Sequence, residues 1–116
     1  MPLIKPVKGI SPTFGKNVFI AENATIVGDV VTGDDCSIWF NAVLRGDVNS
    51  IVMGNKVNIQ DGAVVLEKAQ LESGFIYAGV PAKKVKALTP ETFQHYIGRI
   101  ADNYVMYASW FGEENP

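Results

Sequence analysis

Residues 58–61 read Asn-Ile-Gln-Asp and residues 45–47 read Arg-Gly-Asp. The amide and carboxylate of Gln60 and Asp61, and the cation and acid of Arg45 and Asp47, are the groups whose types and spacing could orient a polar ligand or pair across a surface. Further candidates are few. His95 is the only histidine and Cys36 the only cysteine. A lone helical histidine is more often a surface or packing residue than a ligand. Cys36 occupies a position otherwise given to small in-register residues, which favours packing over a metal thiolate. Asp34, Asp35 and Asp47 have the oxygens for a hard cation, yet corner aspartates are commonplace in turns. An adhesion role for Arg-Gly-Asp has little support in a chain of cytoplasmic character.

The elements that position these groups follow a six-residue beat. Phe14, Ile20, Ile26, Thr32, Ile38 and Leu44 fall every sixth residue, and after one interruption Met53, Ile59, Val65, Leu71 and Tyr77 resume it. Two residues before most of them runs a second inward series: Val18, Ala24, Val30, Cys36, Ala42, Val48, then Val57, Ala63, Ala69 and Phe75. Period six fits neither a helix nor a long alternating strand. It fits a short strand that turns a corner and repeats, with residues i and i+2 facing inward. Glycine, asparagine and aspartate fill the corners, where cramped or positive backbone angles cost other residues more. Three such sides close one coil of a triangular prism, and Phe14 to Tyr77 predicts roughly three to three and a half coils. The nine-residue step from Leu44 to Met53 carries three residues too many. This predicts a loop bulging from one corner.

Residues 1–13 read as a lead-in, 14–80 as the coils and 81–88 as an exit turn, all within a single domain of residues 1–116. A C-terminal helix is predicted over 89–112. Thr89 caps it, Pro90 opens it and Glu91 complements its positive end. Phe93, Ile97, Ile100, Tyr104, Ala108 and Phe111 then mark one apolar face. Gly98 inside it costs about 1 kcal/mol, which suggests a close contact there. Tyr96, Tyr104, Tyr107, Trp110 and Phe111 exceed what a thin prism covers alone, so oligomerisation is the expected use.

Composition narrows the function classes. A chain of 116 residues suits one domain, and a net charge of -2 offers no cationic field for nucleic acid or acidic lipid. No run approaches the roughly 20 apolar residues of a membrane helix. The first fifteen residues lack the apolar stretch of about 7 to 15 residues that a signal peptide needs. One cysteine excludes an internal disulfide framework and suits a reducing cytoplasm, so the Asn23 to Thr25 sequon is expected to be unused.

With the hexapeptide beat, "LRGD" ending at Asp47, "VNIQDG" ending at Gly62, and "YAGVPAKKV" followed by a helix, the chain resembles the γ-class carbonic anhydrases and their bacterial relatives. The exit motif alone is shared with hexapeptide acyltransferases. The resemblance implies an all-β solenoid: a short left-handed parallel β-helix with the C-terminal helix packed on it, assembled as a homotrimer with zinc at each subunit interface. The left hand comes from the resemblance, since crossover sterics favour the right. Carried over by position, Arg45 and Asp47 match the pair that joins subunits near the metal. Asn58, Gln60 and Asp61 match the polar lining, with Gln60 at the residue that orients zinc-bound water or substrate.

The metal ligands do not carry over. Catalytic zinc needs about three protein donors and an open position. The family's first histidine position falls on Leu66, and the other two have no counterpart. About 60 residues, some three coils of roughly 18 residues, are absent relative to a typical member, while Ile59, Val65 and Leu71 keep the beat across the join. The expectation is a catalytically inactive oligomeric scaffold that binds no zinc, nucleic acid or membrane. In it Arg45, Asp47, Gln60 and Asp61 would form an interfacial salt bridge and hydrogen-bond ladder. A zinc-dependent carbonic anhydrase with other ligands is the alternative. A hexapeptide acyltransferase is a second, weakened because acyl transfer there generally uses a histidine base on a coil.

Overall fold

Side chains that recur every sixth residue can all be buried only if the chain turns a corner every six residues, three times per coil, and stacks like on like. The computed structural model describes residues 2–66 and 68–87, and shows this. Its strands are β1 (Leu3–Lys5), β2 (Phe19–Ile20), β3 (Thr25–Val31), β4 (Ser37–Ile38), β5 (Val43–Met53), β6 (Asn58–Ile59), β7 (Val64–Val65), β8 (Gln70–Leu71), β9 (Phe75–Ala78) and β10 (Lys83–Ala87). They form parallel stacks. One side runs β1-β3-β5-β7, with β8 on the later part of β5, and another runs β2-β4-β6-β9 with β10 added at the end. Ile20, Ile38, Ile59 and Tyr77 stand in one column across four rungs. Ile4, Ile26, Leu44 and Val65 stand in another. The solenoid therefore has about four turns.

That is more than the beat alone predicted. Part of the stretch read as a lead-in supplies a rung, because the Leu3 N–H donates to the Ala24 carbonyl at 2.9 Å and β1 lies parallel to β3. Proline at 6 and 12 and the Val7–Ile10 bridge interrupt the beat there. The exit also differs from a plain turn. After β9, Gly79 accepts from the Val64 N–H at 3.0 Å and Ala82 donates to the Val64 carbonyl at 2.8 Å. The chain then reverses into β10, antiparallel to β9. Lys84 fastens β10 through an ion pair to Glu72 at 2.8 Å and a contact 4.2 Å above the Phe75 ring; both stiffen an otherwise exposed edge strand.

The prism is filled as the two inward series require. Ala24, Ile26, Val30, Cys36, Ile38, Ala42, Leu44, Met53, Val57, Ile59, Ala63, Val65, Leu71 and Tyr77 join one buried cluster, with Phe14, Val18, Ile20, Ala69 and Phe75 half-buried against it. Thr32, the polar member, is buried with its hydroxyl 3.2 Å from both the Gly15 N–H and the Gly33 carbonyl.

Val48 departs from the prediction: it is 71% exposed, and Ile51 takes the inward place opposite Val30. The three surplus residues enter before Ile51 rather than after Val48. They form no separate loop. β5 continues as strand, and its register against β3 jumps from Gly28 and Gly46 to Val30 and Ile51, a bulge that lets the next coil resume in phase. The two strands approach so closely at the bulge that a Cβ on Gly28 or Gly46 would run into the facing backbone. At another corner Asn17, Asp35, Lys56 and Gly74 all take left-handed angles at the same point of successive coils. Asparagine, aspartate and glycine tolerate that conformation best.

The predicted helix over 89–112, with Gly98, its aromatic residues and His95, lies outside the described residues. Among the described residues no helix is long and apolar enough to cross a membrane.

Candidate functional site

Gln60 and Asp61 sit where β6 turns into β7, and the fold binds both to the chain itself. The Gln60 Nε2 donates to Asn58 Oδ1 at 2.9 Å, and the Asn58 side chain is buried. The Asp61 carboxylate accepts from the Phe40 N–H of the preceding coil at 3.1 Å, while Gly62 donates to the Phe40 carbonyl at 2.9 Å. Asp61 thus ties a corner amide of one coil to the turn of the next. Other corners use the same device. Asn41 donates its N–H to Asn23 Oδ1 at 2.8 Å, Lys16 donates to Asp34 Oδ1 at 2.8 Å, Asp34 donates to Asn55 Oδ1 at 2.8 Å, and Asn55 donates to the Ser73 hydroxyl at 2.9 Å. Asp35 accepts from the Asn17 amide at 3.4 Å. The acidic corner residues are engaged in turn geometry.

Arg45 and Asp47 lie on the next side of the prism, in β5. Two residues apart on one strand, their side chains leave the same face, and the Arg45 Nη2 donates to Asp47 Oδ2 at 2.7 Å. The pair is solvent-facing, and the Arg45 hydrogen bond holds the Asp47 carboxyl below the usual carboxylate range. Within one chain the arginine already has this acid as a partner. Leu66, directly after β7, joins them: Arg45, Asp47, Val48 and Leu66 line an open hollow of about 200 Å³. The structure therefore brings the first expected ligand position beside Arg45 and Asp47. Asn58, Gln60 and Asp61 stay around the corner, on the wall built by β4, β6 and β9.

The donor set in the hollow does not fit zinc. A guanidinium cannot ligate, Leu66 has no donor atom, and the Asp47 oxygen is bound to Arg45. Among the described residues no group of three histidine, cysteine, aspartate or glutamate side chains is placed to hold a metal ion. Cys36 lies inside the prism with Sγ 3.1 Å from the Gly54 carbonyl, and burial pushes its thiol pKa up, the opposite of an activated thiolate.

Two features escaped the sequence reading. Val48 faces outward into the hollow, a consequence of where the surplus residues enter β5. Phe19, Trp39 and Phe40 form an aromatic group on the outer wall, with Phe19 and Trp39 centroids 5.1 Å apart and Trp39 and Phe40 6.5 Å apart. The signal for the second was present, since all three lie off the inward beat.

No family model matches the chain. A carbonic anhydrase of Geobacillus kaustophilus is 52% identical over 63 residues, which make up 54% of this chain and 35% of that protein. The mitochondrial gamma carbonic anhydrase 2 of Arabidopsis thaliana is 51% identical over 55 residues, 47% of this chain and 20% of that protein. These matches span about a third or less of the relatives' length. A solved Bacillus cereus structure, described as a candidate acetyltransferase, superposes with a TM-score of 0.50 at 23% identity, covering 98% of this chain and 99% of that one. The last likeness is one of fold, and the solenoid topology fits a left-handed β-helix.

Proposed function

We propose that this chain, which resembles the γ-class carbonic anhydrases in its fold and in about half of its sequence, is an oligomeric scaffold that does not hydrate carbon dioxide. One observation carries the reading. Leu66, a side chain without a donor, stands beside Arg45 and Asp47 where the resemblance calls for the first zinc histidine. A site short of its nitrogen donors neither holds zinc tightly nor lowers the pKa of a bound water to about 7. Loss of some three coils of roughly 18 residues accounts for the other two ligands. The continuous columns from Ile38 through Ile59 to Tyr77 explain why such a loss leaves the stack intact.

The scaffold is a homotrimer whose contacts include Arg45 and Asp47, and its setting is the cytoplasm, in keeping with a single, buried, unpaired cysteine. Gln60, Asp61 and Asn58 keep the family's residue types as a hydrogen-bonded wall rather than as catalysts. The names of the relatives favour a second reading, a working carbonic anhydrase with unfamiliar ligands. Metal analysis of purified protein together with the carbon dioxide hydration rate separates the two. Absent zinc and a rate equal to the uncatalysed one support the scaffold. Stoichiometric zinc released only by a strong chelator, with hydration activity, establishes the enzyme.

A further inference from the structure

The two ends of the stack are finished differently. At the N-terminal end β1 and β2 are the last strands of their sheets. Ile4 stands in the inward column with Ile26 and Leu44 yet is 40% exposed, because no coil lies over it among the described residues. At the other end residues 79–87 turn back over the last coil. Gly79 and Ala82 take up the backbone N–H and carbonyl of Val64, and β10 lies on the edge of β9 where a further parallel rung would go. We infer that this returning segment is a cap, which keeps the C-terminal end of the solenoid from adding the N-terminal coil of a second copy.

Register selects a second copy as what the cap excludes. Phe19 and Ile20 begin two columns of parallel rungs that Ile76 and Tyr77 end. A copy moved along the prism axis would set its β2 on β9 as each rung is set on the one before, and its Ile20 would continue the column that stops at Tyr77. Such a contact joins unlike surfaces and repeats without closing, so it grows into a filament. β10 blocks it in two ways. It runs antiparallel to β9 and so breaks the repeat. It also presents, in place of β9, an edge with Lys83 and Lys86 exposed and the ladder irregular between Lys84 and Lys86; lysines and bulges both discourage a further strand. Lys84 fastens the cap through Glu72 and the Phe75 ring. Terminal coils need such cover because each coil buries its faces only against its neighbours. The device is independent of the side-by-side assembly proposed above.

The test is sedimentation of the full chain over a range of concentrations, with electron microscopy of any large species. The uncapped variant is Lys83→Gly/Lys84→Ser/Val85→Gly/Lys86→Ser/Ala87→Gly, which removes the fastening and the strand-forming residues together. A control, Lys16→Thr/Lys56→Asn/Lys68→Asn, loses the same number of positive charges at exposed corners. The inference expects wild type and control to keep one finite size. The uncapped chain should gain weight-average mass continuously with concentration, beyond about twice the wild-type value, the least that one end-to-end addition gives, and should form linear particles. Adding Ile4→Lys to the uncapped chain should abolish the growth, because a charge would then be buried at the incoming end. An uncapped chain that stays at wild-type size overturns the inference. So does equal growth in the control, which would make loss of charge the cause, or growth that survives Ile4→Lys, which would mean that the N-terminal coil is not what adds. Should the uncapped chain not fold, Glu72→Ala/Lys84→Ala, which removes only the fastening, decides in the same way.

Discussion

The two polar groups of the outer wall carry similar side chains and are used differently. Around Gln60 and Asp61 the side chains bond to their own coil and to the preceding one: amide to the buried Asn58, carboxylate to the Phe40 N–H. Around Arg45 and Asp47 the contact is sideways, between an exposed guanidinium and a half-buried carboxylate, next to the exposed Val48 and Leu66. The difference teaches that polar side chains on neighbouring sides of one prism can serve two kinds of contact, one within the stack and one on its surface. Asp61 joins one coil to the next, whereas Arg45 and Asp47 pair with each other at the surface.

The comparison can be strained by substitution, and the largest effect belongs to the buried interior of the prism. Ile51→Ala should cost about 2–5 kcal/mol in denaturant unfolding, since a fully buried side chain is lost from a packed column. Val48→Ala, three residues earlier and outward, should leave chain stability within about 0.5 kcal/mol. Similar losses at both sites would return Val48 to the core. Asp61→Ala should cost about 1 kcal/mol by removing the acceptor for the Phe40 N–H. Hydrogen exchange at that amide should speed up while the amides of β5 keep their protection. Unchanged exchange at Phe40 would mean that Asp61 does not hold the corner.

The smallest effect concerns pH. Asp47 has a folded-state pKa lowered by Arg45, so its contribution to stability is present above the unfolded value and fades as pH falls through the folded one. With the ion pair at the solvent-facing surface the contribution is slight. It is best read by carboxyl NMR titration, where Asp47 should titrate at lower pH in wild type than in Arg45→Ala. Coincident titrations would dissolve the ion pair.

Much of this architecture was legible because a prism needs the same kind of residue at the same place in each coil. The isoleucines at 20, 26, 38 and 59 therefore announce the inward columns. The surplus before Met53 was also visible as a broken count. Its direction was not, because three residues can be inserted at any point between Arg45 and Ile51, and the close approach of Gly28 and Gly46 fixes where the strands stay paired. The rung at Leu3 was hidden by prolines that interrupt the beat. The corner bonds of Asp61, Asn55 and Asn41 join residues 18 or 21 apart, and a short polar side chain at a turn does not reveal whether it holds the next coil or faces a ligand. Leu66 took its meaning from the resemblance, and its neighbours from the structure.

The central claim is that the wall beside Arg45 has exchanged ligand atoms for hydrocarbon. Calorimetric titration of zinc into the purified, chelator-stripped chain tests it most directly. The account predicts no saturable binding at micromolar protein; one tight site per chain would contradict it.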